Sequence, residues 1–171
     1  SHNMSAVLRL TQETLVVDHG KLLMRGATPE AIDYYLSKGL TEEGQKVWQP
    51  EEIAAASKPF KPIAIRILNK QGDIAEVVRS TEPFTIEIEY ELKKQIKGLR
   101  VGIYLLTTRG EYIFTSFDTD EAQLYEDMTV REAGRYVSRC DIPANLLNEG
   151  RYVVGVNAST YMIKRYFQDD Q

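Results

Sequence analysis

Three glutamates, Glu87, Glu89 and Glu91, alternate along one stretch of the chain, and a second acidic group, Asp118-Thr119-Asp120-Glu121, follows further on. Paired carboxylates can hydrolyse glycosides, but successive Glu on one strand face form a solvated surface in the simpler reading. The Asp118–Glu121 group could coordinate calcium, yet it lacks the glycine and the spaced ligands of a calcium loop. It reads as a solvated turn. Two histidines, His2 and His19, and one cysteine, Cys140, complete the reactive side chains. No metal-ligand cluster can be built from them, no Ser/His/Asp set is available, and there is no Gly-x-x-x-x-Gly-Lys-Ser/Thr phosphate loop. The residue types argue against catalysis by this chain and leave binding as the task.

The bulk numbers agree. A length of 171 residues suits one ordinary domain with a smaller appendage. With 43% hydrophobic residues the core can be sizeable, and a net charge of −4 gives no attraction for a phosphate backbone. No apolar run approaches the ~18 residues that cross a bilayer, and the polar first residues lack the basic start of a signal peptide. Cys140 has no second cysteine to pair with and sits in an alternating pattern, so it reads as a buried structural thiol. This usage fits a reducing cytosol.

Positioning must come from two kinds of element. In residues 1–40, Thr14–Asp18 and Lys21–Met24 flank a His19-Gly20 turn, which predicts a hairpin. Thr28 as cap, Pro29 in the first turn and Glu30 predict a helix that buries Ile32, Tyr35 and Leu36 and ends at Gly39. A hairpin and one helix close no core of their own. Residues 41–59 read as a linker with transient or docked helix starting at Thr41 or Pro50, stiffened by Lys58-Pro59, with Trp48 packing it onto a neighbour.

From residue 60 to 171 the hydrophobic period is two. Ile63–Ile67, Phe84–Leu92, Leu99–Leu105, Tyr112–Phe117, Tyr136–Ile142 and Tyr152–Ala158 alternate, and Tyr161–Phe167 forms a further candidate. The fold class is therefore mainly β, an immunoglobulin-like antiparallel β-sandwich behind a short hairpin-plus-helix unit. Leu147–Tyr152 carries the pattern of a tyrosine corner. If a hairpin turns at Arg109-Gly110, Tyr104 lies opposite Thr115, on one face with Leu106, Ile113 and Phe117. Ile103, Leu105, Tyr112 and Phe114 take the other. Both faces are apolar, so one is core and the other is covered by the linker or a dimer partner, or binds a ligand. Sugars suit such a surface, because their C–H faces stack on rings while hydroxyls pair with polar side chains. Strand parity nominates Tyr104, Thr115, Phe117, Asn157 and Ser159. A one-residue bulge in the hairpin would exchange Thr115 and Phe117 for Tyr112 and Phe114.

Two segments resemble known families. Ser1-His2-Asn3-Met4, the hairpin Leu15–Leu22, Gly26 and the helix Pro29–Leu36 resemble the end of an ABC transporter nucleotide-binding domain. The resemblance implies that His2 is the nucleotide-sensing switch histidine, here a relic without its phosphate loop. Phe60–Ile65, Ser80–Ile86, Cys140–Pro143 and Gly150–Tyr152 resemble the C-terminal domain of Wzt-type polysaccharide exporters. That resemblance implies a carbohydrate-recognition domain that binds lipid-linked O-antigen or a similar glycan, often at its modified non-reducing end, and licenses export. It implies no cofactor for this chain, with ATP and Mg belonging to the full-length parent. The implied partners are the glycan, a Wzm-like membrane permease and a second copy in a homodimer, at the cytoplasmic inner face of the membrane. Relatives usually continue past the equivalent of Phe167–Gln171, so a terminal exchanged strand is expected to be missing. A structural dimerisation module without sugar binding is the alternative.

Overall fold

A computed structural model of the chain describes residues 4–37, 44–53, 59–108, 110–121, 129–160 and 162–168. His2, Gly39, Thr41, Lys58, Arg109 and Tyr161 lie outside the described residues, as does the side chain of Leu36.

The first unit is α1 (Met4–Leu10), β1 (Glu13–Asp18), β2 (Lys21–Ala27) and α2 (Thr28–Ser37). The hairpin turns at His19-Gly20, where both residues hold positive φ, 46° and 77°, as the turn signal demands. α2 packs on one face of the hairpin, and Val16, Ala31 and Ile32 are buried. Tyr35, expected with them, is 41% exposed. Thr28 opens α2, and its buried hydroxyl donates to the Thr11 carbonyl at 3.1 Å and meets the Thr11 and Thr14 hydroxyls at 3.0 Å each. One residue thus ties the end of α1 and the start of β1 to α2. The other hairpin face leaves Leu15, Val17 and Leu22 between 55% and 58% exposed.

Among the described residues ten further strands follow: β3 (Gln45–Val47), β4 (Phe60–Leu68), β5 (Phe84–Leu92), β6 (Ile96–Lys97), β7 (Leu99–Thr107), β8 (Tyr112–Phe117), β9 (Val130–Arg131), β10 (Gly134–Ile142), β11 (Tyr152–Thr160) and β12 (Lys164–Gln168). They form two four-stranded antiparallel sheets, ordered β10-β5-β4-β3 and β12-β11-β7-β8, and a β6-β9 ribbon. The cause is the alternation. Phe84, Ile86, Ile88, Tyr90 and Leu92 face Leu99, Val101, Ile103, Val156, Ala158 and Phe167 in one core, each large side chain contributing about 1.5–3 kcal/mol by leaving water.

The expected linker is partly absorbed by the sandwich. β3 extends the first sheet, and Trp48 is 6% exposed with its ring edge-on to Phe167 at 5.4 Å. Pro50–Glu52 form one 3-10 turn. Tyr152 donates from its hydroxyl to the Asn148 carbonyl at 2.8 Å, the bond that defines the tyrosine corner. At the Asn69–Asp73 turn, Asn69 Oδ1 accepts the Gln71 and Asp73 amides. Cys140 is a half-buried free thiol, and burial pushes its pKa up.

Two acidic groups differ from their solvated reading. Glu87 and Glu89 are 9% and 8% exposed on the outer face of the first sheet. Arg66 on β4 reaches both, at 3.1 Å and 2.8 Å, while Arg139 holds Glu87 at 2.9 Å and Arg135 pairs with Glu89. The flanking strands supply the arginines, so the carboxylates lie under them. Asp118 is likewise buried, its side chain 6% exposed and ion-paired at 2.9 Å with Arg131, itself 2% exposed. Arg131 also donates to Tyr90 Oη at 2.5 Å and to the Leu99 carbonyl, and Asp118 accepts from Ser138 Oγ and the Val101 amide. Burial opposes the charge of Arg131, yet Asp118 and Tyr90 hold its pKa above the ordinary value. This cluster ties the two sheets together.

Candidate functional site

The outer face of the second sheet carries the five nominated residues, and register assembles them into rows. β7 and β8 pair Tyr104 with Thr115, as the sequence predicts, and Gly102 with Phe117. β11 brings Gly155 beside Tyr104, Asn157 beside Gly102 and Ser159 beside Arg100. β12 adds Gln168 beside Asn157 and Arg165 beside Ser159. One row is therefore Gly155, Tyr104 and Thr115. The next is Gln168, Asn157, Gly102 and Phe117. A third is Arg165, Ser159 and Arg100. Cross-strand neighbours share a face at about 5 Å, so side chains from all three rows border one surface.

The bulge exists, one step nearer the turn than the exchange required. Leu105 pairs with Phe114 but Leu106 with Tyr112, leaving Ile113 as the extra residue. Thr115 and Phe117 therefore keep their places beside Tyr104. Tyr112, expected on the opposite face, is brought onto this one, with its ring 5.7 Å from that of Tyr104 at 45°. It is 65% exposed, whereas Tyr104 is 4% exposed. Tyr112 is thus the accessible ring and Tyr104 the floor beneath it.

Two glycines shape that floor. A Cβ at Gly155 would lie 2.0 Å from Tyr104 Cζ, and one at Gly102 would lie 2.8 Å from both the Phe117 backbone and its ring. Both rings occupy space that any other residue would take. Arg100 places its guanidinium 4.0 Å over the Phe117 ring, and it donates to Thr119 Oγ1 at 3.2 Å and Asp120 Oδ1 at 3.3 Å. Asp120 Oδ2 accepts the Phe117 amide at 2.8 Å, so the strand end and the arginine are fixed together.

Polar capacity lies beside the rings. Asn157 Oδ1 and Gln168 Oε1 are enclosed and lack a hydrogen-bond partner among the described residues. Such acceptors are costly unless a donor arrives. Ser159 is half-buried and Thr115 exposed. Sequence reasoning missed Tyr112 as a site residue, although it named the bulge that moves it. It also missed Gln168, Arg100 and Arg165, whose place depends on strand pairing. Among the described residues no cluster of three or more His, Cys, Asp or Glu could hold a metal ion, and no helix is long and apolar enough to cross a membrane. A separate cavity of about 520 Å³ lies between Pro50, Ile53, Pro59 and Phe60, with Lys61, Lys93 and Lys94 at its margin.

Fold and surface together define a mainly β antiparallel sandwich with a ring-and-amide face on its second sheet. The sequence model of the Wzt C-terminal domain matches residues 57–167, and the chain belongs to that family. Its fold is similar to that of a solved structure described as the crystal structure of the C-terminal domain of Wzt, with a TM-score of 0.53 and 16% identity over 74% of this chain and 71% of that one. Comparison with curated proteins gives no match.

Proposed function

We propose that this chain is the glycan-recognition part of an ABC exporter of lipid-linked cell-surface polysaccharide, and that the outer face of the second sheet binds the glycan, at its modified non-reducing end. Family membership supports the exporter setting. The observation that carries the site is the adjacency of the Tyr104–Tyr112 ring pair to the enclosed Asn157 and Gln168 acceptors. A sugar ring stacks its C–H face on Tyr112, and its hydroxyls donate to the two amide oxygens once those side chains turn outward from their enclosed positions. Thr115, Phe117 and Ser159 border the same surface. The role is recognition; catalysis stays with the parent ATPase, which would hold ATP and Mg.

Residues 1–40 are read as the tail of that ATPase domain. The exposed Leu15, Val17 and Leu22 on one hairpin face support this, because such a face needs a covering layer. In the parent, the preceding part of the nucleotide-binding domain covers it, and the permease subunit is met through that domain at the cytoplasmic side of the membrane. The rival reading, a dimerisation module, is favoured by Tyr112 and Ile113, 65% and 40% exposed on β8 at the edge of the sheet.

An NMR titration with the host's own surface polysaccharide, capped and uncapped, tests the proposal. Amide shifts in the Tyr104, Tyr112 and Asn157 rows with the capped chain alone are expected. Self-association by sedimentation, with no shift from either glycan, would move the function to dimerisation.

A further inference from the structure

Where the segment after β3 crosses the end of the first sheet, the chain forms the cavity of about 520 Å³, within the range of about 300–1,000 Å³ that small-molecule sites occupy. Its walls are tied down by backbone bonds. The Trp48 amide donates to the Ile63 carbonyl at 3.0 Å. The Glu52 amide donates to the Gln49 carbonyl at 3.0 Å, and the Glu52 carboxylate accepts the Gln49 amide at 2.6 Å, which closes the Pro50–Glu52 turn. The Lys93 amide donates to the Pro59 carbonyl at 2.9 Å and clamps the start of β4 to the end of β5. Pro50, Ile53, Pro59 and Phe60 make the lining apolar. Phe60 is 1% exposed and stacks on Tyr90 at 5.1 Å, so the core backs the cavity.

The charged side chains that line it are all lysines, Lys61, Lys93 and Lys94. Glu91 offsets one of these charges: it is ion-paired with Lys93 at 2.6 Å and lies opposite Lys61 in the β4–β5 register. Glu52 is held by the Gln49 amide. Lys94 is exposed and makes no ion pair among the described residues. Three ammonium groups thus meet one carboxylate at the margin of an apolar cavity.

We infer that this cavity is a binding site for an anionic amphiphile, a ligand with an aliphatic chain that fills the space between Ile53, Pro59 and Phe60 and a carboxylate or phosphate head beside Lys61 and Lys94. The inference is independent of the glycan reading. Burial of the chain against Pro50, Ile53 and Phe60 removes apolar surface from water on both sides. An ammonium group is a compact charge that suits either head. A neutral alcohol of the same length keeps only the apolar contribution, and a short acid keeps only the charge, so the site discriminates against both.

The test is an amide-resolved NMR titration of the folded chain with octanoate, octyl phosphate, octanol and acetate. It is run on the wild type, on the double variant Lys61→Gln with Lys94→Gln, and on the control Lys21→Gln, an exposed lysine of the first hairpin. Shifts at Ile53 and Phe60 are expected with at least one of the two octyl anions, at lower concentration than with octanol, and not with acetate. Anion affinity should fall about 3–10-fold in the double variant and also on raising salt from about 20 to about 200 mM, with octanol binding unchanged and the control like the wild type. Response to octanoate alone assigns a fatty carboxylate, and response to octyl phosphate alone a lipid phosphate. No shift at the cavity with either octyl anion, octanol binding as tightly as the anions, or anion binding indifferent to the double variant overturns the inference.

Discussion

The ring of Tyr104 occupies the space above Gly155: a methyl on Gly155 would come within 2.0 Å of Tyr104 Cζ. The absence of a side chain on β11 is what lets a tyrosine on β7 lie down and become 4% exposed. Gly155→Ala must therefore lift that ring. Overpacking of this kind costs about 1–3 kcal/mol. Urea unfolding should show the loss, and near-ultraviolet dichroism should show changed tyrosine packing against Tyr112. A variant with wild-type stability and spectrum would mean that the ring does not rest there.

Asn157 separates stability from binding. Its Oδ1 is enclosed without a partner among the described residues, so Asn157→Leu removes a buried acceptor that makes no hydrogen bond among them. Stability should stay within about 1 kcal/mol of the wild type or rise. Glycan-induced shifts in its row should disappear. Calorimetric unfolding and the polysaccharide titration read the two effects separately, and loss of both together would assign Asn157 a structural role.

Breaking the Asp118–Arg131 pair should be strongly destabilising. Asp118→Asn leaves a buried guanidinium without its counter-charge, at a cost of about 3–5 kcal/mol. The double change Asp118→Leu with Arg131→Met should recover part of it, because a neutral pair needs no compensation. Chemical denaturation of the single and double variants decides this, and equal losses in both would show that Tyr90, Ser138 and the backbone contacts carry the cluster instead.

Glu89 makes part of the stability depend on acid. The hydrogen bond from Arg66, joined by that from Arg135, outweighs burial and holds its carboxyl below the usual carboxylate range. A folded pKa below the unfolded one, about 4.3 for Glu, means the contribution is fully present above the unfolded value and is lost as pH falls through the folded one. Glu89→Gln should thus be less stable than wild type at neutral pH, by about 1–3 kcal/mol. The gap should narrow at acid pH, where the wild type also becomes neutral at this position. A gap constant from neutral to acid pH would contradict the coupling.

Trp48 reports whether β3 stays docked. Its edge-on contact with Phe167 joins β12 to the segment after β3. Phe167→Ala should cost about 3–5 kcal/mol and shift the fluorescence of the chain's single tryptophan to longer wavelength. Unchanged emission would place the burial of Trp48 on other neighbours.

The strands were legible because half-burial writes a period of two. Phe84–Leu92 alternates without a break, and the register of β5 against β10 follows it residue by residue. The hairpin turn at His19-Gly20 and the Tyr152 corner were legible because their chemistry is local. α1 was not, since seven residues of MSAVLRL are too short to show a helical face. β3 was not, since three residues carry no period and its pairing with β4, the next strand, spans the linker.

The sequence by itself determined the alternation, hence the sandwich, and which face of β7 holds Tyr104. Local residue types suffice for that, because burial on one side is the dominant energy. Only the tertiary structure decided which rows those residues join. The bulge at Ile113 moves Tyr112 onto the face, β12 delivers Gln168 and Arg165, and Arg131 buries an aspartate that looked solvated. Each of these depends on the register or contact that two elements adopt once they pack, and the energy that selects it exists only once the sheets are formed.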